Sequence, residues 1–539
     1  MKLRRYREHR RNDPAVPSHA RAEATSKHHA TSEHHRAPPR LRNGRPRLIE
    51  FSYGLAVPAL VGPLLLSFAE GILSVGAAQT TSPGGSEETG AAFSTAERLR
   101  LTLALARTYR LTDQPQRALD TLTPLSAGPW PSAAIEAEYH DEVSRDEDAL
   151  GRPSEARGEL ERAVALEPTA ERSFRLSQLA ERLGDHEEAR RQLEAAVKAE
   201  PENTEYKAAL AYALRKSGDL AGAAQLLSGV LAVGPNRYAL HEDLGYIDLG
   251  LGENDKAIDQ FKWVIDNQQL YPAETQEERD ATARTIEGLR RTINAVEPHW
   301  TAYGYTNLCL TGNYCERRTR NLESLISTNQ GGIELQYQPP EIGYVDGRIF
   351  QGFARTFFSY APGTISPEGN SFQGGVGIHY KPLSDYNLVL SGERLIKFGT
   401  NAVNNWEGRV SFSTSAGYEI DPVASQSWYS LLYVDFAGTA QSPHQILTYA
   451  DGRGGVNFKF ADRLVFSPFV YGIFRGNYGI GANTSAETGI GASLRGFFYE
   501  DKYHAPRDAV ELLPRLGYTV YDSLATPSVV FSITLVARF

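Results

Sequence analysis

The chain ends in SVVFSITLVARF (residues 528–539), and this stretch decides the fold of the C-terminal half. Its apolar side chains recur at every second position: Val529, Phe531, Ile533, Leu535, Ala537 and Phe539. Polar Ser532, Thr534 and Arg538 stand between them. A period of two predicts a β-strand with one apolar face, and here that face runs without a break to the terminal phenylalanine.

The same alternation continues upstream through residues 299–539, where short segments are separated by Gly, Asn, Ser, Pro and Asp. In WEGRVSFSTSAGY (406–418), the pattern puts Trp406, Val410 and Tyr418 on the apolar face and Glu407 and Arg409 on the other. We predict an antiparallel β-barrel of twelve strands: 299–310, 331–338, 347–358, 371–381, 386–397, 406–418, 426–437, 446–460, 464–476, 485–499, 510–520 and 528–539. Segment 316–330 leaves fourteen strands as an alternative, and a soluble β-sandwich would also alternate.

The final strand distinguishes a barrel from a sandwich. Outer-membrane barrels commonly end in such a strand, which the barrel-assembly machinery reads, so we interpret Phe531, Ile533, Leu535 and Phe539 as the assembly signal. An even strand number leaves both ends of the barrel domain on one side of the membrane. We therefore expect a Gram-negative outer-membrane protein whose N-terminal part lies in the periplasm.

The alternation of side chains along each strand also predicts which of them face the lumen. They are Arg355, His379, Lys381, Glu393, Glu407, Arg409, Tyr429, Tyr433, Asp435, Asp451, Arg453, Lys459 and Arg495. Charges are expected inside because a cation at the lipid face costs about 2–4 kcal/mol. They could form a polar track for the hydroxyl groups of a sugar polymer, or a set of salt bridges that only stabilises the barrel.

Residues 79–298 show an internal repeat. Gly151, Gly184, Gly218 and Gly252 are spaced by 33 or 34 residues. Each is followed by a small and then a large apolar residue: Ala156, Ala189, Ala223 and Ala257, then Leu160, Leu193, Leu227 and Phe261. This pattern is similar to the tetratricopeptide repeat and predicts an all-α solenoid of stacked helix pairs. We expect four good repeats, a degenerate first one around Ala106 and Ala118, and a capping helix over 277–296.

The charges are unevenly distributed along the chain. Residues 79–298 carry 25 Lys/Arg against 39 Asp/Glu, whereas residues 299–539 are nearly balanced. Nucleic-acid binding is disfavoured, because phosphate contacts need a basic surface. An acidic groove in the array would favour a basic partner or a hydroxyl-rich polymer, although the acidic residues could equally be a solvated outer face.

Residues 1–78 have the character of a leader and signal peptide. An Arg/His-rich stretch precedes the apolar run 55–73, and the small residues Val75 and Ala77, or Gly76 and Ala78, suit a signal peptidase. An uncleaved N-terminal anchor is the alternative. Paired histidines at 28–29 and 34–35 could bind a metal, but a leader lost on processing explains them as well.

No catalytic motif and no cofactor or metal site is predicted; an outer-membrane enzyme is a minor alternative. Cys309 and Cys315 flank a Thr-Gly-Asn turn in LCLTGNYC. Two cysteines this close generally pair in an oxidising compartment, so we predict a disulfide that fixes the first outer loop.

Several barrel segments resemble one family. HWTAYGYTNLC (299–309), QGGIELQYQPP (330–340), LVLSGERLIKFGTNAVNNWEGRVSFS (388–413) and YADGRGGVNFKFADRLVFSPFVYGIFRGNY (449–478) are similar to the C-terminal domain of bacteriophage N4 adsorption protein A. That family joins periplasmic repeats to an outer-membrane barrel, an architecture similar to that of exopolysaccharide exporters. The resemblance implies export of a polysaccharide through the barrel, with synthase or modifying proteins gathered by the repeats. A surface anchor or receptor without transport is the alternative.

Overall fold

The computed structural model describes residues 94–312, 329–361, 364–442, 444–479 and 482–539. The predicted leader and signal peptide (1–78) lie outside these residues, as does the start of the predicted repeat domain. Within the described part of the chain, no helix has both the length and the apolar character needed to cross a membrane.

The N-terminal described region is helical. Its eleven α-helices, counted over residues 94–298, are α1 (Thr95–Leu111), α2 (Pro115–Leu122), α3 (Ala133–Ala149), α4 (Pro153–Leu166), α5 (Ala170–Arg182), α6 (His186–Ala199), α7 (Thr204–Ser217), α8 (Leu220–Val233), α9 (Tyr238–Leu251), α10 (Asn254–Asp266) and α11 (Gln276–Val296). They form five consecutive pairs followed by α11. The tetratricopeptide prediction is confirmed, including the degenerate first pair.

The repeat markers occupy the positions that their chemistry requires. Gly151, Gly184, Gly218 and Gly252 end the first helix of the second, third, fourth and fifth pairs with φ of 74°, 81°, 89° and 77°. Side chains other than glycine rarely adopt this left-handed conformation. The alanines and large apolar residues that follow are buried between the helices, so each pair contributes one layer of a continuous core.

The first helices of successive pairs are joined by ion pairs. Helix α1 carries four arginines and one acidic residue, whereas α3 carries seven acidic residues and one arginine. Arg110 bridges to Glu142 at 2.7 Å and to Asp146 at 2.8 Å, and Arg145 of α3 reaches Glu171 of α5 at 2.7 Å. Much of the negative charge of the array is therefore neutralised between neighbouring helices.

The C-terminal region is a closed antiparallel ring. Its strands, within the described residues, are β1 (His299–Thr311), β2 (Gln330–Gln338), β3 (Tyr344–Val345), β4 (Arg348–Ser359), β5 (Gln373–Lys381), β6 (Asn387–Lys397), β7 (Asn405–Ala416), β8 (Gln426–Thr439), β9 (Gln445–Ala461), β10 (Leu464–Gly479), β11 (Asn483–Phe498), β12 (Asp508–Asp522) and β13 (Val529–Arg538).

Consecutive strands pair around the ring, which closes where β1 meets β13 and where β2 meets β4. The two-residue β3 pairs only with the start of β4 and is not a member of the ring. Twelve described strands thus complete the barrel, as predicted. Since β1 pairs directly with β2, the fourteen-strand alternative is wrong.

Side chains alternate across the barrel wall. Outward apolar residues such as Ile378, Trp406, Val470 and Ile490 are 48–62% exposed, and this exposed apolar band is the surface that a barrel presents to lipid. Tyr418 is an exception to the predicted parity. Gly417 adopts φ 65° just after β7 ends, which breaks the alternation, and Tyr418 turns inward to donate to Glu511 at 3.1 Å.

A glycine-to-alanine pair tests the helix ends. Gly218→Ala should destabilise the array by about 1–2 kcal/mol, because alanine must adopt a left-handed conformation. Gly229→Ala, within α8, is the matched control. A Cβ meets no atom within 4 Å at either position, so alanine at 229 should stabilise by about 0.5–1 kcal/mol through helix propensity. Urea unfolding followed by circular dichroism measures both, and equal shifts would contradict the conformational role.

Candidate functional site

Seven of the thirteen predicted lumen residues lie in a belt of ion pairs. We name as the lumen belt ten side chains from eight strands: Arg355, Glu393, Glu407, Arg409, Asp435, Asp451, Arg453, Arg475, Glu487 and Arg515. Arg409 bridges Glu407 at 2.7 Å and Asp435 at 2.9 Å. Arg355 Nε donates to Glu393 at 2.9 Å.

The other side of the lumen repeats this arrangement. Asp451 accepts from Arg453 at 2.6 Å and from Arg515 at 3.3 Å, and Arg475 bridges Glu487 at 2.9 Å. Five arginines thus face five carboxylates. Their side chains are at most 14% exposed. Buried charges are tolerated when they are paired, and each member of the belt has an ion-pair partner.

Glycines make room for the belt. A side chain at Gly375 would overlap the Glu393 carboxylate and crowd Arg355, and one at Gly377 would meet Phe353. The neighbouring Gly374 faces outward and is covered by the ring of Phe398. In the sequence Gln-Gly-Gly at 373–375, Gly374 therefore leaves room for Phe398 on the outer face and Gly375 leaves room for Glu393 on the inner face. It recurs at 330–332, where Gly332 leaves space for Tyr305.

The remaining predicted lumen residues lie elsewhere. His379 stacks on Phe353 with ring centroids 4.0 Å apart. Tyr429 packs in an apolar cluster with Phe469 and Tyr471, and Tyr433 lies 6.0 Å from Tyr449. Their role in a polymer track stays a prediction.

Three of the predicted cations lie toward the helix end of the barrel, the end from which β1 starts and at which β13 finishes. Lys381 donates to Gly347 O at 2.6 Å, and Lys459 donates to Pro422 O at 3.3 Å. Arg495 donates to Tyr418 O at 2.6 Å. These cations hold the carbonyls of turns and strand ends.

The predicted assembly signal forms part of the seam that closes the ring. Phe531, Ile533 and Leu535 pair with β1, and the backbone of Phe539 exchanges two hydrogen bonds of 2.8 Å with Ala302. Its role in assembly stays a prediction. Cys309 is buried in β1, whereas Cys315 lies outside the described residues, so the disulfide also stays a prediction.

Two groups of functional side chains were missed from the sequence. Arg475, Glu487 and Arg515 complete the belt, and strand parity alone could have found them. At the opposite, far end of the barrel, the side chain of Gln373 exchanges hydrogen bonds of 3.0 Å with the backbone of Val403. Asn405 does the same with Gln441 at 2.9 Å. Gln373 and Asn405 each lie at the start of a strand and hold the backbone of the next loop. For Gln373, the Gly-Gly that follows it was the signal in the sequence.

A second candidate site lies in the array. A cavity of about 500 Å³ opens between α1, α3 and α5. We call it the arginine pocket, after Arg100, Arg107, Arg110, Arg145 and Arg172. Five carboxylates also line it: Glu138, Asp141, Glu142, Glu167 and Glu171. This pocket is therefore balanced in charge, because the carboxylates of α3 are matched by arginines of α1 and α5; the acidic groove stays a prediction for the rest of the array.

One carboxyl of this network is strongly perturbed. Asp146 is fully buried, and its Oδ2 atom has no partner within the described residues. Burial raises the pKa of Asp146 to about 6, although Arg110 donates to its other oxygen. An aspartate in an unfolded chain titrates near pH ~3.9. Protonated Asp146 therefore contributes to the stability of the folded protein below about pH 4, and this contribution is lost as the pH rises to about 6.

Comparisons with known proteins agree with both halves. Residues 366–520 match the family described as Bacteriophage N adsorption protein A C-term. Residues 144–203, 174–238 and 208–272 match a tetratricopeptide repeat family. Bacteriophage adsorption protein A of Escherichia coli (strain K12) is 24% identical over 334 residues, which cover 60% of this chain and 33% of that protein. The chain thus spans about one third of the length of this relative.

Solved structures match the helical part. YrrB, titled a TPR protein with an unusual peptide-binding site, is 17% identical and covers 35% of this chain and 93% of its own, with a TM-score of 0.30. MamA from Desulfovibrio magneticus RS-1 is 17% identical and covers 32% and 95%, with a TM-score of 0.29. The family matches confirm the resemblance to adsorption protein A, with tetratricopeptide repeats before the barrel. Together with the barrel they support an outer-membrane protein.

Arg409→Met tests the lumen belt. It leaves Glu407 and Asp435 without their shared cation, and breaking a buried pair costs about 3–5 kcal/mol. The temperature at which the folded barrel loses its heat-modifiable gel mobility should therefore fall. Arg394→Met is the control, because Arg394 lies on the outer face over Trp406. Equal melting of both variants would show that the belt contributes nothing to stability.

Asp146→Asn tests the buried carboxyl. The substitution removes the ionisation that disfavours folding above about pH 6, so the variant should gain thermal stability relative to wild type at pH ~7 but not at pH ~4. Melting of the helical circular dichroism signal measures this difference. Asp120→Asn, at an exposed site in α2, should show no such pH dependence. A constant difference across the range would refute the perturbed titration.

Proposed function

We propose that this protein is an outer-membrane anchor that presents a tetratricopeptide array to envelope proteins in the periplasm. The observation that carries the proposal is the lumen belt, whose ten charged side chains are paired and nearly excluded from solvent. A barrel filled in this way serves better as a base than as an open pore. The array then supplies the binding function, as stacked helical repeats commonly do.

The topology supports a periplasmic orientation of the array. Strand β1 begins three residues after α11 ends, and the chain terminates at the same end of the barrel. In outer-membrane barrels this end, with its short turns, faces the periplasm. The arginine pocket would then face partners inside the envelope, while the loops held by Gln373 and Asn405 would face outward.

Export of an exopolysaccharide through the barrel is the second candidate. It is favoured by the polar and tyrosine-rich lining of the lumen, in which Tyr303, Tyr433 and Tyr449 accompany the belt. Hydroxyl and guanidinium groups of this kind can exchange hydrogen bonds with a sugar polymer. Transport would require the pairs of Arg355 and Arg409 to separate, so the belt would have to rearrange for each passage.

Site-specific crosslinking tests the proposed recruitment. A photoreactive residue at Arg100, which lines the arginine pocket, should give a discrete adduct with one envelope protein in intact cells. The same residue at Arg117, an exposed arginine of α2 outside the pocket lining, should not. Identical adducts from both positions, or none from either, would contradict recruitment through the pocket.

Two further measurements decide between anchor and exporter. For an anchor, the purified protein should give no steady conductance in planar bilayers, and deletion of the gene should leave extracellular polysaccharide unchanged. A stable open channel together with loss of secreted polymer would establish export instead. Synthase and modifying enzymes would then be the expected partners of the array.

A further inference from the structure

Helix α11 contacts the barrel at three separate turns. At the first, the Gln338 side chain at the end of β2 donates to Ala295 O at 2.9 Å. At the second, the Arg291 guanidinium donates to Ile420 O in the turn after β7. At the third, in the turn after β11, Asn294 donates to Ala505 O at 2.8 Å.

Arg290 makes three hydrogen bonds to the third turn, more than any of the side chains just named. Its guanidinium donates to Glu500 Oε1, Asp501 O and His504 O, each at 2.7 Å, and to Glu287 of its own helix at 3.0 Å. The side chain is only 14% exposed. One arginine therefore satisfies two backbone carbonyls and a carboxylate of a single turn, which fixes the helix to that turn.

The three turns are evenly spaced around the ring. Four strands separate the turn after β2 from the turn after β7: β4, β5, β6 and β7. Four more separate that turn from the one after β11, and β12, β13, β1 and β2 complete the circle. The turns therefore divide the rim into thirds. The contacts to all three thirds come from residues 290–295, so this part of α11 has to lie over the opening rather than along one side of it.

Apolar packing joins α11 to the array as well as to the barrel. Ile286, Leu289, Ile293 and Val296 of α11 share one buried cluster with Phe261 of the last repeat and with Tyr344 between β2 and β4. Tyr503, from the turn after β11, packs against the same cluster. Movement of the last repeat would therefore move α11 relative to the mouth.

We propose that α11 is a lid that closes the helix end of the barrel, with Arg290, Arg291 and Asn294 as its latch. This goes beyond the proposed function, because it holds whether the barrel is an anchor or a conduit. A partner that shifts the last repeat would release the latch. Access to the lumen would then depend on what the array has bound.

Chemical labelling tests the lid. Val465 is the second residue of β10, is 3% exposed and lines a small cavity together with Ile420 and Asp421. In the full chain, the thiol introduced by Val465→Cys should react slowly with a water-soluble maleimide. Adding Arg290→Ala and Asn294→Ala should accelerate the reaction at least tenfold, measured on the labelled peptide by mass spectrometry.

Arg279→Ala is the matched control, because Arg279 belongs to the same helix but, among the residues that the structure describes, its side chain bonds only to residues 273–276. It should leave the rate unchanged. Rapid labelling with the latch intact, or no acceleration when it is removed, would overturn the proposal. Heat-modifiable mobility of every variant shows whether the barrel is folded.

A reversible crosslink separates lid opening from misfolding. Asn294→Cys combined with Ala505→Cys places one thiol on each side of the contact between α11 and its turn, and a mass shift of two hydrogen atoms on oxidation shows that the pair has joined. Oxidation should then suppress labelling at 465 in the Arg290→Ala background, and reduction should restore it. A rate that ignores the crosslink would refute the lid. Because the readout is solvent access, this result is independent of the crosslinking and conductance measurements.

Discussion

The pairing of buried carboxylates with arginines is the constraint on which the barrel depends. Charged side chains are costly at the middle of a lipid-facing surface, and inside a narrow lumen they are costly when unpaired. Glu407 therefore requires Arg409, Arg409 also holds Asp435, and Gly375 has to lack a side chain so that Arg355 and Glu393 can meet. The strand register follows as well, because a slip of one residue would turn all of these groups toward the membrane.

The array uses the same interaction differently. Its first helices carry opposite charges where they meet: Arg110 of α1 pairs with acidic residues of α3, and Arg215 of α7 pairs with Asp243 of α9. The array as a whole keeps its net negative charge, because residues 79–298 hold 25 Lys/Arg against 39 Asp/Glu. At the last repeat, hydrogen bonds to turn carbonyls accompany the ion pair of Arg290 with Glu500, and the array becomes continuous with the barrel through α11.

Periodicity made most of the fold predictable. Repeat spacing located the helix pairs, and two-residue alternation located the ends of the strands to within three residues. Both patterns arise because every helix and every strand has one apolar face. Tyr418 departed from this rule because one left-handed glycine reset the alternation. The contacts of Arg290 and the balance of the arginine pocket join residues far apart in sequence, and neither leaves a local pattern. The alternation assigned each candidate lumen residue to a face, whereas the pairing of residues into the lumen belt depends on which strands become neighbours.

The amides at the far end have a consequence for the surface that the barrel displays. Gln373 begins β5 yet holds the loop between β6 and β7, and Asn405 begins β7 yet holds the loop between β8 and β9. Each loop is thus supported by a strand that it does not connect. Such loops are therefore not structurally independent. An epitope grafted into one loop would disturb its neighbour unless the supporting amide and the backbone to which it is hydrogen-bonded are transferred together. Diversification of this surface by recombination would therefore proceed in blocks of adjacent hairpins.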